Sequence, residues 1–357
     1  YKDIINTFNN LLNDADKLWI KRRRKIDTKL LFYAISDILT NNYGIKHHIA
    51  LKQLSSNFNY NISDAALCKA RNKCHSRIFY DILNKLTNKF FYSKKTNNIY
   101  AVDGSKFNVP PKFNKFNYVP RNDKSHKNLA MISCIYDTVN NVPFNIYLSN
   151  HFNERKAFLS QLKFFKQKSI FIFDRGYFSQ ELICNISLNK HSYLFRLKND
   201  ANKQINNIYK NSKIKDTIIT INTERVRIFK YTVNNIIYLC ATNLFKYTIK
   251  KLSKLYKKRW TVEEGFKVFK SYLKLTSIHS STHKLLEQEI IIRQILFLIS
   301  RICQRKYNYS NYIVSLKFII HILVLFYDST LNERDLKYVV KTVKYKDIPD
   351  RKRNLIV

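Results

Sequence analysis

Two short runs, Ile99–Val102 in IYAVDGS and Ile170–Phe173 in IFIFDRGY, are apolar at every position, and each is followed at once by an aspartate. A strand that alternates polar and apolar residues can leave one face in water, whereas a strand apolar on both faces has to be covered on both. The two runs are therefore predicted to be central strands of a layered sheet. Asp103 and Asp174, read as the residues that end them, then meet at the carboxyl edge, where ligands of α/β sheets bind. Taken singly, an aspartate before glycine, as at Asp103, is also an ordinary turn former.

The order of the surrounding elements narrows the fold. NIYAVDGSKFNV, LAMISCIYDTV and VPFNIYLSN read as a three-stranded meander divided by turns containing Asn and Pro. The amphipathic helix NERKAFLSQLKFF comes next, then the strand SIFIFD, the helix SQELICNISL and the strand SYLFRLK. Meander, helix, strand, helix, strand is the order of an RNase H-like core with mixed α/β layers. Residues 96–199 hold its first part. Residues 200–245, with TIITINT, VRIFKYTV and NIIYLCATN, read as a β-rich insertion, and residues 246–300 hold the last part of the core.

Residues 1–95 carry apolar positions at three- and four-residue spacing and are expected to be helical. Within them, LKQLSSNFNYNISDAALCKARNKCHSRIFYDIL suits either a helix-turn-helix-like element docking on DNA through Lys69, Arg71, Lys73 and Arg77, or a plain bundle. Ser63 or Asp64 is a candidate N-cap for the helix that follows. The run Lys21–Lys25, KRRRK, reads as a phosphate-binding segment or a basic helix end. Residues 301–357 are expected to form C-terminal helices and a basic tail, RKRN.

The stretch Tyr256–Lys270, YKKRWTVEEGFKVFK, predicts one helix. At about 100° per residue, Tyr256, Arg259, Glu263 and Lys270 fall at roughly 0°, 300°, 340° and 320°. Leu255, Val262, Phe266, Phe269 and Leu273 lie beside them as the stripe to be buried. The polar set thus borders the core, while Glu264 points elsewhere. Alone, this helix also fits a solvated face in which Glu263 pairs with Arg259 or Lys267.

Asp103, Asp174 and Glu263 make three carboxylates able to converge. Like charges packed together raise one another's pKa, and a divalent cation resolves the conflict. Hard oxygen ligands suit Mg²⁺ or Mn²⁺, and two such ions can drive hydrolysis or transesterification of a phosphodiester. The formal net charge of +39, from 64 Lys and Arg against 25 Asp and Glu, agrees with a nucleic-acid partner. A chain rich in Lys, Asn, Ile and Tyr is also what AT-rich coding produces. The six cysteines follow no metal-ligand spacing and read as free thiols of a reducing compartment. No apolar run is long enough to span a membrane, and no membrane partner is expected.

With these motifs in view, the chain resembles the DDE transposases of the IS4 family. The resemblance rests on YAVDGS, FDRGYFS, the strand CATNL, and the Y-x2-R-x3-E-x6-K spacing of Tyr256, Arg259, Glu263 and Lys270, and it runs from about residue 60 to 300. It implies a metal-dependent enzyme that cuts double-stranded DNA at transposon ends and joins it to target DNA, through a hairpin intermediate and as a homodimer. It further implies that Asp103, Asp174 and Glu263 bind two Mg²⁺ or Mn²⁺ ions, and that Tyr256, Arg259 and Lys270 hold the transposon end. Trp260, Arg175 and Tyr177 are candidate DNA contacts, with Trp260 also suited to core packing; Glu154 and His151 are further polar candidates. A cytoplasmic, nucleoid-associated location is expected, or a nuclear one in a eukaryotic host. Two alternatives stay open: a nuclease or host-captured transposase of the same fold, and an inactive DNA-binding relative.

Overall fold

The structure, a computed structural model, describes residues 2–22, 25–40, 62–91, 98–120, 125–307, 312–314, 316, 319–320 and 342–344. Arg23 and Arg24 of the basic run, residues 51–61 of the expected helix-turn-helix stretch, the tail at 351–354 and most of the expected C-terminal helices lie outside the described residues.

In chain order, the first helices are α1 (Lys2–Ala15), α2 (Thr28–Thr40), α3 (Asp64–Lys73) and α4 (Ser76–Phe91). The strands β1 (Ile99–Val109), β2 (Asn128–Asp137) and β3 (Val142–Ser149) follow, then α5 (Glu154–Leu162), β4 (Ile170–Phe173), α6 (Gln180–Leu188) and β5 (Ser192–Arg196). Next come α7 (Lys203–Lys210), β6 (Asp216–Ile221), β7 (Glu224–Val233), β8 (Ile236–Thr242), α8 (Ile249–Lys257), α9 (Trp260–Lys267) and α10 (His283–Tyr307). The chain divides into two compact units. A mainly helical one comprises Tyr1–Lys95, Phe107–Ala130 and Phe266–Val357; an α/β one comprises Thr96–Lys106 and Met131–Gly265.

The sheet has eight strands in the order β3-β2-β1-β4-β5-β8-β7-β6. Strands β1, β4 and β5 run parallel, and β8 joins β5 antiparallel. The part from β3 to β5, with its helices, is the expected RNase H-like arrangement. Strands β6, β7 and β8, expected as an insertion, do not form a sheet of their own: Leu194, Phe195 and Arg196 pair with Thr242, Ala241 and Cys240, so the insertion prolongs the core sheet. The helix α7 within it escaped the sequence reading because its eight residues are too few to establish a period.

Both faces of the central strands are covered, as their composition requires. On β4, Phe171 and Phe173 pack with Phe158, Leu182, Ile186 and Ile205 from α5, α6 and α7, while Ile172 faces Leu252 and Leu255 of α8. Side-chain caps set where several helices begin: Asn153, Ser179, Asn202 and Thr248 each accept a backbone N–H at the start of α5, α6, α7 and α8. Asn234 and Asn235, both at positive φ, form the two-residue turn between β7 and β8.

In the helical unit α10 packs on α2 and α4. Ser63 caps α3, accepting from the Ala66 N–H at 3.2 Å, as expected. Arg71, by contrast, does not belong to a DNA-facing surface. Its side chain is buried and pairs with Glu289 at 3.3 Å, and Glu289 also pairs with the fully buried Arg293. An isolated buried charge is costly, so this arginine turns inward to a partner. No helix among the described residues is long and apolar enough to cross a membrane.

Candidate active site

The β1–β4 ladder pairs Val102 with Phe173 in parallel, so Asp103 and Asp174 emerge from it side by side, one residue further along each chain. Asp103 does not end its strand as expected: β1 continues to Val109, and what ends at Val102 is the pairing with β4. Asp174 follows β4 directly and precedes a 3-10 turn, Arg175–Tyr177, in which the Tyr177 N–H donates to the Asp174 carbonyl at 3.2 Å.

Asp103 Oδ1 accepts the Gly104 N–H at 2.9 Å. Its carboxyl is nevertheless pushed up to about 6, chiefly by burial; the Gly104 N–H and Arg259 oppose the rise, and the charges of Glu154 and Asp174 add to it. The Arg259 guanidinium supplies the main nearby positive charge. Its Nη1 lies 3.9 Å from Asp103 Oδ2, and its Nη2 donates to Glu263 Oε1. Glu263, the carboxylate chosen over Glu264, thus shares the Arg259 guanidinium with Asp103.

The helix expected across Tyr256–Lys270 is interrupted. The N–H groups of Lys258, Arg259, Thr261 and Val262 donate three residues back rather than four, and the Thr261 hydroxyl adds a bond to the Lys258 carbonyl at 2.7 Å. These bonds tighten the chain between α8 and α9, which puts Tyr256 and Arg259 on different segments. Lys270 is exposed in a π-helical turn, Val268–Tyr272, of the helical unit. The Leu273 N–H there reaches back five residues to the Val268 carbonyl, so the 3.6-residue repeat behind its place on the stripe does not hold.

Gly265 lets α9 approach the sheet. A Cβ at that position would stand 2.6 Å from Cε2 of Tyr136 on β2, far inside van der Waals contact. Tyr256 is 3% exposed and its ring packs with Tyr238, but its hydroxyl is buried without a hydrogen-bond partner. Burial raises that phenol's pKa, with Arg259 opposing and Asp174 adding.

The remaining candidates separate. Arg175 is exposed, and Trp260, 36% exposed at the first residue of α9, is not a core residue. Tyr177 is 1% exposed and packs on Phe173, so its burial does not fit the expected DNA contact. Its hydroxyl lies beside the Glu154 carboxylate without forming a hydrogen bond of good geometry. Glu154 is half-buried, and desolvation raises its pKa against the influence of Lys106 and Tyr177. His151 serves its own loop: its carbonyl accepts the Ser149 hydroxyl at 2.8 Å.

Two residues escaped the sequence reading. Arg155, which donates twice to the Gly176 carbonyl, reaches across 21 positions and leaves no periodic trace. Gly265 did leave one: a glycine inside a helix, in a chain with 4 glycines, marks a close approach.

Among the described residues no three acidic, histidine or cysteine side chains form a ready-made metal cage. The donor chemistry still fits a hard divalent cation, because the Asp103 carboxylate, disfavoured by burial and in smaller part by the charges of Glu154 and Asp174, is relieved by such a charge. In this conformation Arg259 compensates part of it.

No curated protein matches the chain. Among solved structures it is similar to the cryo-EM structure of a piggyBac transposase synaptic complex with hairpin DNA, with a TM-score of 0.54 and 12% identity over 99% of this chain and 81% of that one. At that identity the likeness concerns the fold. Residues 94–299 match the family described as Transposase DDE domain, a span that contains both aspartates, the Arg259–Glu263 pair and every strand from β1 to β8. By that match the chain belongs to the transposase DDE domain family and is a DDE transposase.

Proposed function

We propose that this transposase cuts double-stranded DNA at the ends of a mobile element and joins the freed 3′-hydroxyl to target DNA, by cut-and-paste through a hairpin intermediate. The observation that carries the reading is the side-by-side exit of Asp103 and Asp174 from the β1–β4 ladder, with the Arg259–Glu263 pair beside Asp103. The hairpin DNA in the piggyBac complex supports the intermediate. The spacing of Tyr256, Arg259, Glu263 and Lys270 supports placement near the IS4 family. A homodimer on paired ends and a location with the cell's DNA complete the proposal.

Asp103, Asp174 and Glu263 would hold the divalent ions, Mg²⁺ or Mn²⁺, two in number. When bound, such ions activate the attacking water or 3′-hydroxyl and stabilise the leaving oxygen. The chain's own residues set the stage. Asp103 and Asp174 leave neighbouring strands at matched positions, one residue past the last paired residues, Val102 and Phe173. Glu263 must exchange its bond with Arg259 for the reaction centre. Arg259, released, presents a planar fork suited to a phosphate. The orphaned Tyr256 hydroxyl gains a partner if a phosphate oxygen reaches it. Trp260 offers surface for stacking on a base, Arg175 and Lys270 offer charge, and no covalent protein intermediate is required.

The test is cleavage of a labelled duplex carrying the gene's own flanking DNA, in Mg²⁺ or Mn²⁺, by wild type and Asp103→Ala. Nicks at the element ends followed by hairpins, both lost in the variant, are expected. Cutting without end preference points to a nuclease, and tight binding without cutting to an inactive relative.

A further inference from the structure

The first turn of α5 touches both aspartate-bearing segments. Glu154 packs on Gly104: a Cβ built there would lie 2.6 Å from Glu154 Oε1 and 2.8 Å from its Cδ, so the carboxylate rests in the space that the glycine leaves open. The N–H of the same glycine holds Asp103 Oδ1 at 2.9 Å. One residue along the helix, Arg155 Nε and Nη2 donate to the Gly176 carbonyl at 3.0 and 2.8 Å. Gly176 is the middle of the turn that Asp174 opens. Behind the turn, the buried Tyr177 hydroxyl lies beside Glu154. The start of the helix is itself fixed, because Asn153 caps it by accepting the Lys156 N–H at 3.1 Å.

We infer that Glu154 and Arg155 are positioning residues of the active site, a brace that sets Asp103 and Asp174 at the spacing a divalent ion needs. The inference rests on the metal reading of the site proposed above. The brace works through backbone. Glu154 bears on the α-carbon next to Asp103, and the Arg155 fork fixes the carbonyl two residues past Asp174. Neither role requires Glu154 to ligate the ion. The sheet alone does not supply this function, since the β1–β4 pairing ends at Val102 and Phe173 and both aspartates lie beyond it. A brace that holds ligands in register from outside the ligand set behaves as outer-shell partners of metal sites do, and their loss costs roughly 10–100-fold in affinity.

The experiment measures Mn²⁺ binding to the full chain without DNA, by the electron paramagnetic resonance of free Mn²⁺, alongside DNA cleavage across Mn²⁺ concentrations. Arg155→Ala and Glu154→Ala are expected to weaken Mn²⁺ binding about 10-fold or more, with most of the cleavage rate restored at high Mn²⁺. Arg155→Lys, which keeps charge but loses the fork, falls between. Glu154→Gln, which keeps the packing on Gly104, stays within a few-fold of wild type. Lys156→Ala, on the same turn without either contact, leaves the affinity unchanged.

If Arg155→Ala and Glu154→Ala bind Mn²⁺ as the wild type does, whatever their melting temperatures, the brace is overturned. If Glu154→Gln loses as much as Glu154→Ala, Glu154 acts through its charge and the positioning role is overturned. A wild type that binds no Mn²⁺ overturns the metal reading itself, and this inference with it, which separates that failure from the other two.

Discussion

Arg259 donates to Glu263 four residues ahead of it and turns the same guanidinium toward Asp103, 3.9 Å away, so one cation lies between carboxylates from a helix and a strand. Under the proposed function, incoming ions and phosphate must rearrange this charge balance. Arg259→Ala is expected to push the Asp103 carboxyl further up and to destabilise the protein by about 1–3 kcal/mol through an unpaired, mostly buried acid. Thermal unfolding without metal checks this. DNA binding should weaken in the same variant, because the proposed phosphate fork is lost.

Glu263→Gln separates chemistry from grip. DNA affinity should stay close to wild type while cleavage falls by about 10²-fold or more, the scale on which a single electrostatic group at a reacting centre contributes. Retained cleavage would remove Glu263 from the mechanism. A gel-shift titration beside a cleavage time course reads both quantities.

The raised Asp103 carboxyl gives a pH signature with a definite sign. An acid raised on folding favours the native state while protonated, and that advantage is lost as pH climbs from the ordinary value of 3.8 through about 6. Across that window the metal-free protein loses about 3 kcal/mol on account of this group. Asp103→Asn should therefore match the wild type near the acid end and be the more stable of the two above the window. Metal binding at the proposed site follows the opposite course, since only the ionised carboxylate ligates. Mn²⁺ affinity should rise over the same range.

Gly265 is held to its size by Tyr136. Gly265→Ala places a methyl against the ring and should cost about 1–3 kcal/mol by overpacking. Because α9 carries Glu263, cleavage should fall more than DNA binding does. Trimming the ring in Tyr136→Leu should restore part of both, and a double-mutant cycle on the melting temperature measures the coupling.

Arg71 tests the helical unit separately. Arg71→Ala leaves the buried Glu289 with Arg293 as its remaining arginine partner and should destabilise by about 3–5 kcal/mol. Mn²⁺ affinity of the folded fraction should not change. Unaltered stability with weakened DNA binding would return Arg71 to the DNA-facing role read from the sequence.

Apolar pattern carried most of what could be read in advance. The runs Ile99–Val102 and Ile170–Phe173 became paired central strands, and Leu255, Val262, Phe266, Phe269 and Leu273 are all buried as their spacing demanded. Where the reading failed, the cause was local hydrogen bonding or contact across long stretches of chain. A helical wheel assumes one repeat, and between Tyr256 and Lys270 the backbone uses three. Arg71 looked like a DNA ligand because a helix face records polarity but not the acid it meets more than two hundred residues later. Arg155 meets the Gly176 carbonyl, and Tyr177 is buried, at positions that only the folded sheet brings near.

The parallel pairing of β1 with β4 joins segments about 70 residues apart, whereas β2 with β3, β6 with β7 and β7 with β8 are local hairpins. Pairings that close long loops form late, after local ones. A chain still folding therefore holds its hairpins before it holds Asp103 beside Asp174. The proposed reaction centre is thereby absent from nascent and partly unfolded chains, and it is completed only together with the finished sheet.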